Sequence, residues 1–586
     1  MVRAPQRDAT VESLIASPGH AALARTHLGI LQPAPQLHDG ERVHVLLQGD
    51  VFNIRALARR CGLPEDTAPH RVIARLYERE AEPGLAAIEG AFAIAIVDTR
   101  HSRVLLLMDH VGSYPLYWTT FPHGFAFASS LSAVLRHPAV RRELDPAAVA
   151  DYLTYGFPFG TKTLASGVSL APAGSVVSYD WASDAVSTVR LGHISDAFAP
   201  WDGSRAEYIE ALCSTFSDAV ERSMSGPHAF GVSLSGGLDS RAILSALNGK
   251  GAGTSTYTLG VRGCADQVIA EKLARIAGTK HSFFELNEQY LREFLPNQRR
   301  MVSLTDGMYL SHGLTEILAL DFIARGDFSV LVRGHGGELA KTDLAWPLHT
   351  DAAIRGMRSR DEFVPYLHRR ANYISGSSDL RQLFTDTWAP GLSGGGLASL
   401  EDATRDVPLS PADLCSYLYL TEHHRRFTVP SIELFRNAVD VRLPFVDQAF
   451  LKVLFRGRPE WRADPSIHKA LTAAGNRAML RVRNSNTGAP ASAGPAVEYA
   501  LDKVNSLFKR LDIYGYRHYH TFDRWMREQL LSSVETVLLS RTSLDRGILS
   551  ETAVRRVLDQ TRAGQADHSY MLQVLLILEL WQQENL

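Results

Sequence analysis

The sequence predicts two domains: a layered α+β domain over residues 1–195, then over residues 205–586 an α/β domain with a parallel sheet and a helical C-terminal extension. Three observations predict this. Short β-like runs crowd the first 190 residues, a polar break falls at Ala199–Ser204, and beyond it apolar strands alternate with helices. At 586 residues the chain exceeds what one hydrophobic core usually serves, so two large domains are expected.

The first domain is read from Val43–Leu47, Ala91–Val97, Val104–Met108, Gly124–Ala128 and Ser175–Tyr179, each short, apolar and bounded by turn residues. After the break, Tyr208–Met224 has the periodicity of an amphipathic helix. Next comes an apolar strand from Gly231 into the turn Ser235-Gly236-Gly237, followed by the apolar helix Ala242–Leu247. Strands at Thr256–Leu259 and Phe328–Val332 continue the alternation expected of a parallel sheet with crossover helices. The remainder reads as mainly helical, apart from a polar stretch at Arg483–Gly494 expected to be a loop over the site or a disordered cover.

Hydrophobic content of 45% with 21% charged residues fits a globular protein, and a net charge of −2 removes the global electrostatic argument for nucleic acid. Local basic pairs at Arg425-Arg426 and Lys509-Arg510 read as solvated surface charge. Four scattered cysteines show neither metal spacing nor a disulfide framework. Without a signal-like start or an apolar run that could span a bilayer, a cytoplasmic protein with no membrane partner is expected.

The strand–glycine turn–helix at 231–247 has the geometry of an anion site, because the turn lets backbone approach an anion and the helix start presents free N–H groups. An ordinary tight turn is the alternative. No Gly-Lys-Ser/Thr follows, so a lysine-cradled γ-phosphate is not predicted. Ser-Gly-Gly-Leu-Asp-Ser at 235–240 resembles instead the pyrophosphate loop of the ATP pyrophosphatases.

Over nearly its full length the chain resembles the asparagine synthetase family. Gln48–Asn53, Gly90–Asp98 and Asp109–Tyr117 are similar to blocks of its glutamine-hydrolysing domain, and Ser235–Ser240, Arg333–Glu338 and Val441–Asp447 to blocks of its synthetase domain. The resemblance implies binding of ATP through Ser233, Leu234, Ser235, Gly236, Gly237, Asp239, Ser240, Leu259 and Gly334, and of Mg²⁺ by Asp239 and Glu338. Read otherwise, Asp239 is a helix cap and Glu338 a surface carboxylate.

The same resemblance implies that the first domain has lost its chemistry. The family uses an N-terminal cysteine, whereas this chain begins Met1-Val2 with no cysteine before Cys61. His27 stands where the family has a carboxylate-binding arginine, Gln48 where it has an asparagine, and Pro69 where it has an aspartate. The resemblance also implies that the chain starts late, without the family's first strand, so that another start codon could restore the cysteine but not the other three residues.

Without ammonia from glutamine, an amine carried by the substrate is the expected nucleophile, as in the cysteine-lacking β-lactam synthetases and lasso peptide macrolactam cyclases. His335 replaces the family's glutamate and is suited to take the amine's proton, with Glu422 as its expected partner; a histidine packed beside glycine turns is the alternative. The late loop lacks the family's lysine, and Arg481 or Arg483 is the expected substitute. The resemblance therefore implies an ATP-dependent amide ligase acting on a peptide or amino-acid-derived substrate, with a lasso-type cyclase favoured and a precursor peptide and its protease as partners. An ammonia-dependent asparagine synthetase and an ATP-binding pseudoenzyme are the alternatives, and a nucleic-acid-modifying pyrophosphatase is disfavoured.

Overall fold

The computed structural model describes residues 9–17, 21–192, 194–247, 249, 251–287, 289–310, 312–340, 351–375, 380–392, 394–462, 466–520 and 522–586. Its first half is built on ten strands: β1 Thr10–Ser17, β2 Ala21–His27, β3 Val43–Val51, β4 Gly90–Asp98, β5 Arg103–Met108, β6 Tyr117–Phe121, β7 Gly124–Ala128, β8 Ser169–Leu170, β9 Ser175–Asp180 and β10 Ala185–Arg190. The central sheet is antiparallel in the order β10-β9-β5-β4-β3.

Both faces of β4 and β5 are buried, and that is why these strands read as near-continuous apolar runs. On one face Ile94, Ile96, Leu105 and Leu107 meet Val72, Ile73 and Leu76 of the Pro69–Leu85 helix. On the other, Ala93, Ala95, Leu106 and Val177 meet Leu23 of β2 and residues around the β6-β7-β8 sheet. Helices, sheet and second sheet make the layered α+β architecture expected. The β1–β2 hairpin was not anticipated; Val11 and Ile15 lie on its exposed side, so β1 lacks the apolar signature of a core strand.

The second half carries β11 Phe230–Ser233, β12 Ser255–Gly260, β13 Lys280–Glu285, β14 Val330–Val332 and β15 Asp440–Arg442. These form one fully parallel sheet in the order β13-β12-β11-β14-β15. Strands after β11 are laid first to one side and then to the other, so the order reverses between β11 and β14. At such a reversal the loops leaving the C-terminal strand ends diverge and leave a crevice.

Helices cover the sheet and fill the C-terminal region. The last one, Ser569–Asn585, is buried all round, with Trp581 fully enclosed. It shares a core with Leu153 and Leu164 of the first half and with Met301 and Leu331 of the second, so the C-terminal helices are an integral wall between the halves. The amphipathic helix after the polar break runs Arg205–Ser223, started by a Ser204–Glu207 capping box. None of the four cysteines is in a disulfide. Among the described residues, no helix is long and apolar enough to cross a membrane.

Candidate active site

The loop after β11 and the loop after β14 meet at the reversal point. Leu234 is fixed by its N–H to the Tyr257 carbonyl at 2.9 Å and by the Thr258 hydroxyl on its own carbonyl at 2.5 Å. Ser233 and Leu234 thus enter the loop beside the end of β12, where Leu259 lies half-buried. The Ser235 N–H donates to the Ser240 hydroxyl at 3.1 Å, the two hydroxyls lie 3.2 Å apart, and the Gly237 N–H points back to Ser235 Oγ at 3.3 Å. A tight turn results, with its N–H groups met inside the protein and its two serine hydroxyls side by side.

Asp239 opens the Asp239–Ala246 helix as its first residue, and no side chain caps that helix, so Asp239 is not a cap. Its carboxylate is pressed against the β14 loop. A Cβ on Gly337 would lie 2.4 Å from Asp239 Oδ1, and one on Gly334 would lie 2.7 Å from Asp239 Cβ and 3.2 Å from the Ser240 nitrogen. The two glycines are required by this close approach. Glu338 follows in the same turn and is not a surface carboxylate: its Oε2 accepts from the Gly336 N–H at 3.0 Å and the Tyr419 hydroxyl at 3.1 Å. His335 stands between the glycines on that turn, half-buried.

Sequence reasoning missed four residues. The Nε2 of buried His468 lies 2.8 Å from the Asp239 carboxylate, and its Nδ1 lies 3.3 Å from the Ala340 carbonyl. The fully buried Arg241 guanidinium donates to the Gly236 carbonyl at 3.2 Å, to Val482 O at 2.7 Å and to Arg483 O at 2.7 Å. Arg241 thereby ties the phosphate-type loop to the polar stretch at 483–494, and burial lowers its pKa to about 10. Asp266, near the start of the Ala265–Ala277 helix, accepts the Gly236 N–H at 2.6 Å. Burial pushes its carboxyl pKa up against the opposing pull of that N–H, the Ser485 hydroxyl, Lys509 and His518. Tyr419 is the fourth. An arginine beside Asp-Ser on an otherwise apolar helix was the one available signal among them.

Two expected roles fall elsewhere. Glu422 lies on a π-helical stretch, Tyr419–Thr428, and accepts the Gly160 N–H of the first half at 2.8 Å. Burial raises its pKa, opposed first by the Arg426 guanidinium. Arg425 and Arg426, expected on the surface, are buried there and donate to Ala171 and Gly160 carbonyls. The hydrogen bond of Glu422 therefore joins it to the seam between halves, and the anticipated pairing with His335 is not made. Arg483 likewise donates to the Gly515 carbonyl and lies 4.0 Å over the Tyr516 ring, so its guanidinium is engaged by that turn. The 483–494 stretch is an ordered loop: Ser485 N–H donates to Gly236 O at 3.1 Å, and Arg483 bridges Pro490.

Mg²⁺ fits the donor set, since Asp239 and Glu338 offer the oxygen ligands that a hard cation shares with phosphates. Among the described residues, no group of three or more His, Cys, Asp or Glu forms a ready metal cage.

In the first half, a cavity of about 640 Å³ is lined by Arg25, His27, Gln32, Gln48, Ser130 and Arg436, among others. His27 Nε2 lies 3.1 Å from Glu12, and burial lowers the imidazole pKa, with Arg25 acting the same way. Pro69 starts the Pro69–Leu85 helix, a position its fixed φ suits. No cysteine lines the cavity among the described residues: Cys61 is buried in the helical layer instead. Met1 and Val2 lie outside the described residues.

Comparison with known proteins finds a glutamine amidotransferase domain matched over residues 3–189 and an asparagine synthase domain over 211–341. An asparagine synthetase [glutamine-hydrolyzing] 2 of Bacillus subtilis is 25% identical over 36% of this chain and 30% of its own length. An asparagine synthetase [glutamine-hydrolyzing] of Sandersonia aurantiaca is 27% identical over 46% and 49% respectively. The chain thus spans from about a third to half of these relatives. A solved B. subtilis glutamine phosphoribosylpyrophosphate amidotransferase, complexed with ADP and GMP, covers 45% of this chain and 53% of its own. The two chains are 12% identical, with a TM-score of 0.19.

Proposed function

We propose that this chain, which matches a glutamine amidotransferase domain and an asparagine synthase domain in turn, is an ATP-dependent amide-forming ligase whose nucleophile is an amine borne by its own substrate. The observation that carries this reading is the convergence of Asp239 with the Gly334–Glu338 turn at the reversal point of the parallel sheet. A substrate carboxylate attacks the α-phosphorus of ATP, pyrophosphate leaves, and the resulting acyl-AMP is attacked by the amine with release of AMP. The Ser235–Gly237 loop holds the leaving pyrophosphate through the Ser235 and Ser240 hydroxyls and through whichever loop N–H groups turn to it from their present partners Ser240 Oγ, Asp266 and Ser235 Oγ, and these donors offset its growing charge. Asp239 and Glu338 hold Mg²⁺, which neutralises phosphate charge when bound. His335 takes the proton that the amine loses as the amide forms.

A substrate larger than an amino acid is supported by the helix Pro495–Arg510 and the turn after it, which expose Val497, Val504, Leu507, Leu511 and Tyr514 beside the 483–494 loop. A peptide cyclised through a lactam, as in the lasso-type enzymes, is the favoured class. The inactive glutaminase half is supported by the first-half cavity, whose lining has no thiol among the described residues. The relatives' own names favour a second reading, an ammonia-dependent asparagine synthetase.

The test is release of AMP and pyrophosphate from ATP with Mg²⁺ over a panel of carboxylates and peptides, varying glutamine and ammonium separately. Turnover that needs an amine-bearing peptide and neither nitrogen source is expected. Turnover with aspartate and ammonium would replace this reading with the second, and no pyrophosphate despite ATP binding would leave a pseudoenzyme.

A further inference from the structure

The phosphate-type loop carries one feature that its anion-binding geometry does not account for. The Gly236 N–H, at the centre of the turn, already donates to the Asp266 carboxylate at 2.6 Å. A negative group therefore stands against the loop, and a phosphate placed there meets that charge unless a cation accompanies it. Arg483 does not supply one, because its guanidinium is held by Gly515 and Tyr516.

The helix Pro495–Arg510 does. Its buried Asn505 donates to the Asn486 carbonyl at 2.9 Å and the Ser485 carbonyl at 3.4 Å, and fits because Gly488 has no side chain: a Cβ there would lie 2.7 Å from Asn505. That face of the helix is thus fixed on the 484–488 loop, which itself bonds Gly236. Residues four apart share a helix face, and four residues after Asn505 comes Lys509. The turn beyond the helix is pinned just ahead of Asp266, with Gly515 N–H on Gly263 O at 2.7 Å and Ala265 N–H on Arg517 O at 3.0 Å. Lys509 is the lysine whose charge Asp266 feels, Asp502 and Arg483 being the other charges near it, and among the described residues Lys509 has no ion-pair partner within 4.0 Å.

We propose that Lys509 is the cation of the pyrophosphate subsite, its ammonium binding phosphate oxygens at the Ser235–Gly237 loop and offsetting the charge of Asp266. The inference rests on the ligase reading above. It gives the role expected of the late loop to a residue some twenty positions further on, delivered by a helix. Half-buried and without an ion-pair partner, Lys509 loses less solvation on meeting an anion than a fully hydrated surface lysine would.

The experiment is calorimetric binding of Mg²⁺–pyrophosphate and Mg²⁺–ATP to the full chain, its Lys509→Met and Lys509→Arg variants, and Lys503→Met on an exposed side of the same helix. Thermal melts verify folding. Lys509→Met is expected to weaken both ligands roughly 10- to 100-fold, the loss of one charge-assisted contact. Lys509→Arg should recover most of the affinity, and Lys503→Met should leave it unchanged. Wild-type affinity in a folded Lys509→Met variant overturns the assignment while leaving the ligase reading intact, and so does equal loss in Lys509→Met, Lys509→Arg and Lys503→Met. A wild-type chain that binds neither ligand overturns the ligase reading and this inference with it.

Discussion

The imidazole of His468 and the carboxylate of Asp239 lie 2.8 Å apart, with the histidine fully buried and its other ring nitrogen against the Ala340 carbonyl. Both ring nitrogens therefore face acceptors, and the imidazole orients the carboxylate assigned to the metal. Asp239→Asn should abolish pyrophosphate release with the fold intact. His468→Ala should leave activity measurable but reduced roughly 10- to 100-fold, the usual cost of losing a group that orients a ligand. Pyrophosphate release at rising Mg²⁺ verifies this: the His468 variant should need more metal, and an unchanged metal requirement would remove the orienting role.

Gly337 is the tightest point of the site, since any side chain there lands 2.4 Å from Asp239 Oδ1. Overpacking of this kind costs about 1–3 kcal/mol. Gly337→Ala should therefore displace Asp239 and remove most ATP-dependent turnover, with a modest fall in melting temperature. Gly356, which has nothing within 4 Å of its Cβ position, is the control: Gly356→Ala should change neither. Activity in Gly337→Ala equal to wild type would show that the Asp239 carboxylate does not need its present place.

Asp440 gives a pH signature. Burial raises its carboxyl pKa to about 6 in spite of Arg436, the Leu31 N–H at 3.3 Å and Arg442. A carboxyl raised in the fold binds its proton more tightly folded than unfolded. Its contribution is therefore fully present below the ordinary carboxylate range and is lost as pH rises towards about 6. The stability of wild type relative to Asp440→Asn, followed by denaturant unfolding at each pH, should accordingly fall between pH 4 and 6 and level off above, by roughly 3 kcal/mol at most. Asparagine keeps an acceptor for Leu31, so the comparison isolates the charge. A difference independent of pH would show that Asp440 titrates normally.

What the sequence made legible follows from how far apart the interacting residues lie. The strands β4 and β5 were readable because burial on both faces writes itself as unbroken apolar runs, and the 235–240 loop because glycine and serine mark a turn whose hydrogen bonds are internal to it. Gly334 and Gly337 were readable as a motif, though not for their reason, which is the approach of Asp239 from another strand. Nothing local marks Asp266, in the first turn of its helix, and only folding brings it to Gly236, 30 positions away. His468 sits on a helix with nothing local to mark it. Arg425 and Arg426 were misread because paired arginines usually mean solvent, whereas here backbone carbonyls at 160 and 171 receive them.

Glu422 separates a structural carboxylate from a catalytic one. Its charge sits buried beside Arg425 and Arg426 while its Oε2 takes the Gly160 N–H, so Glu422→Gln keeps an acceptor but leaves two buried guanidinium groups without their nearby anion. Removing one member of such a cluster costs about 3 kcal/mol. The variant should melt well below wild type, while the folded fraction keeps its pyrophosphate release and the pH dependence of amide formation. His335→Ala should do the reverse, keeping the melting temperature and depressing amide formation more than ATP–pyrophosphate exchange. If Glu422→Gln instead shifted the pH profile of amide formation without loss of stability, the carboxylate would belong to the proton path with His335 and the seam contacts would be incidental.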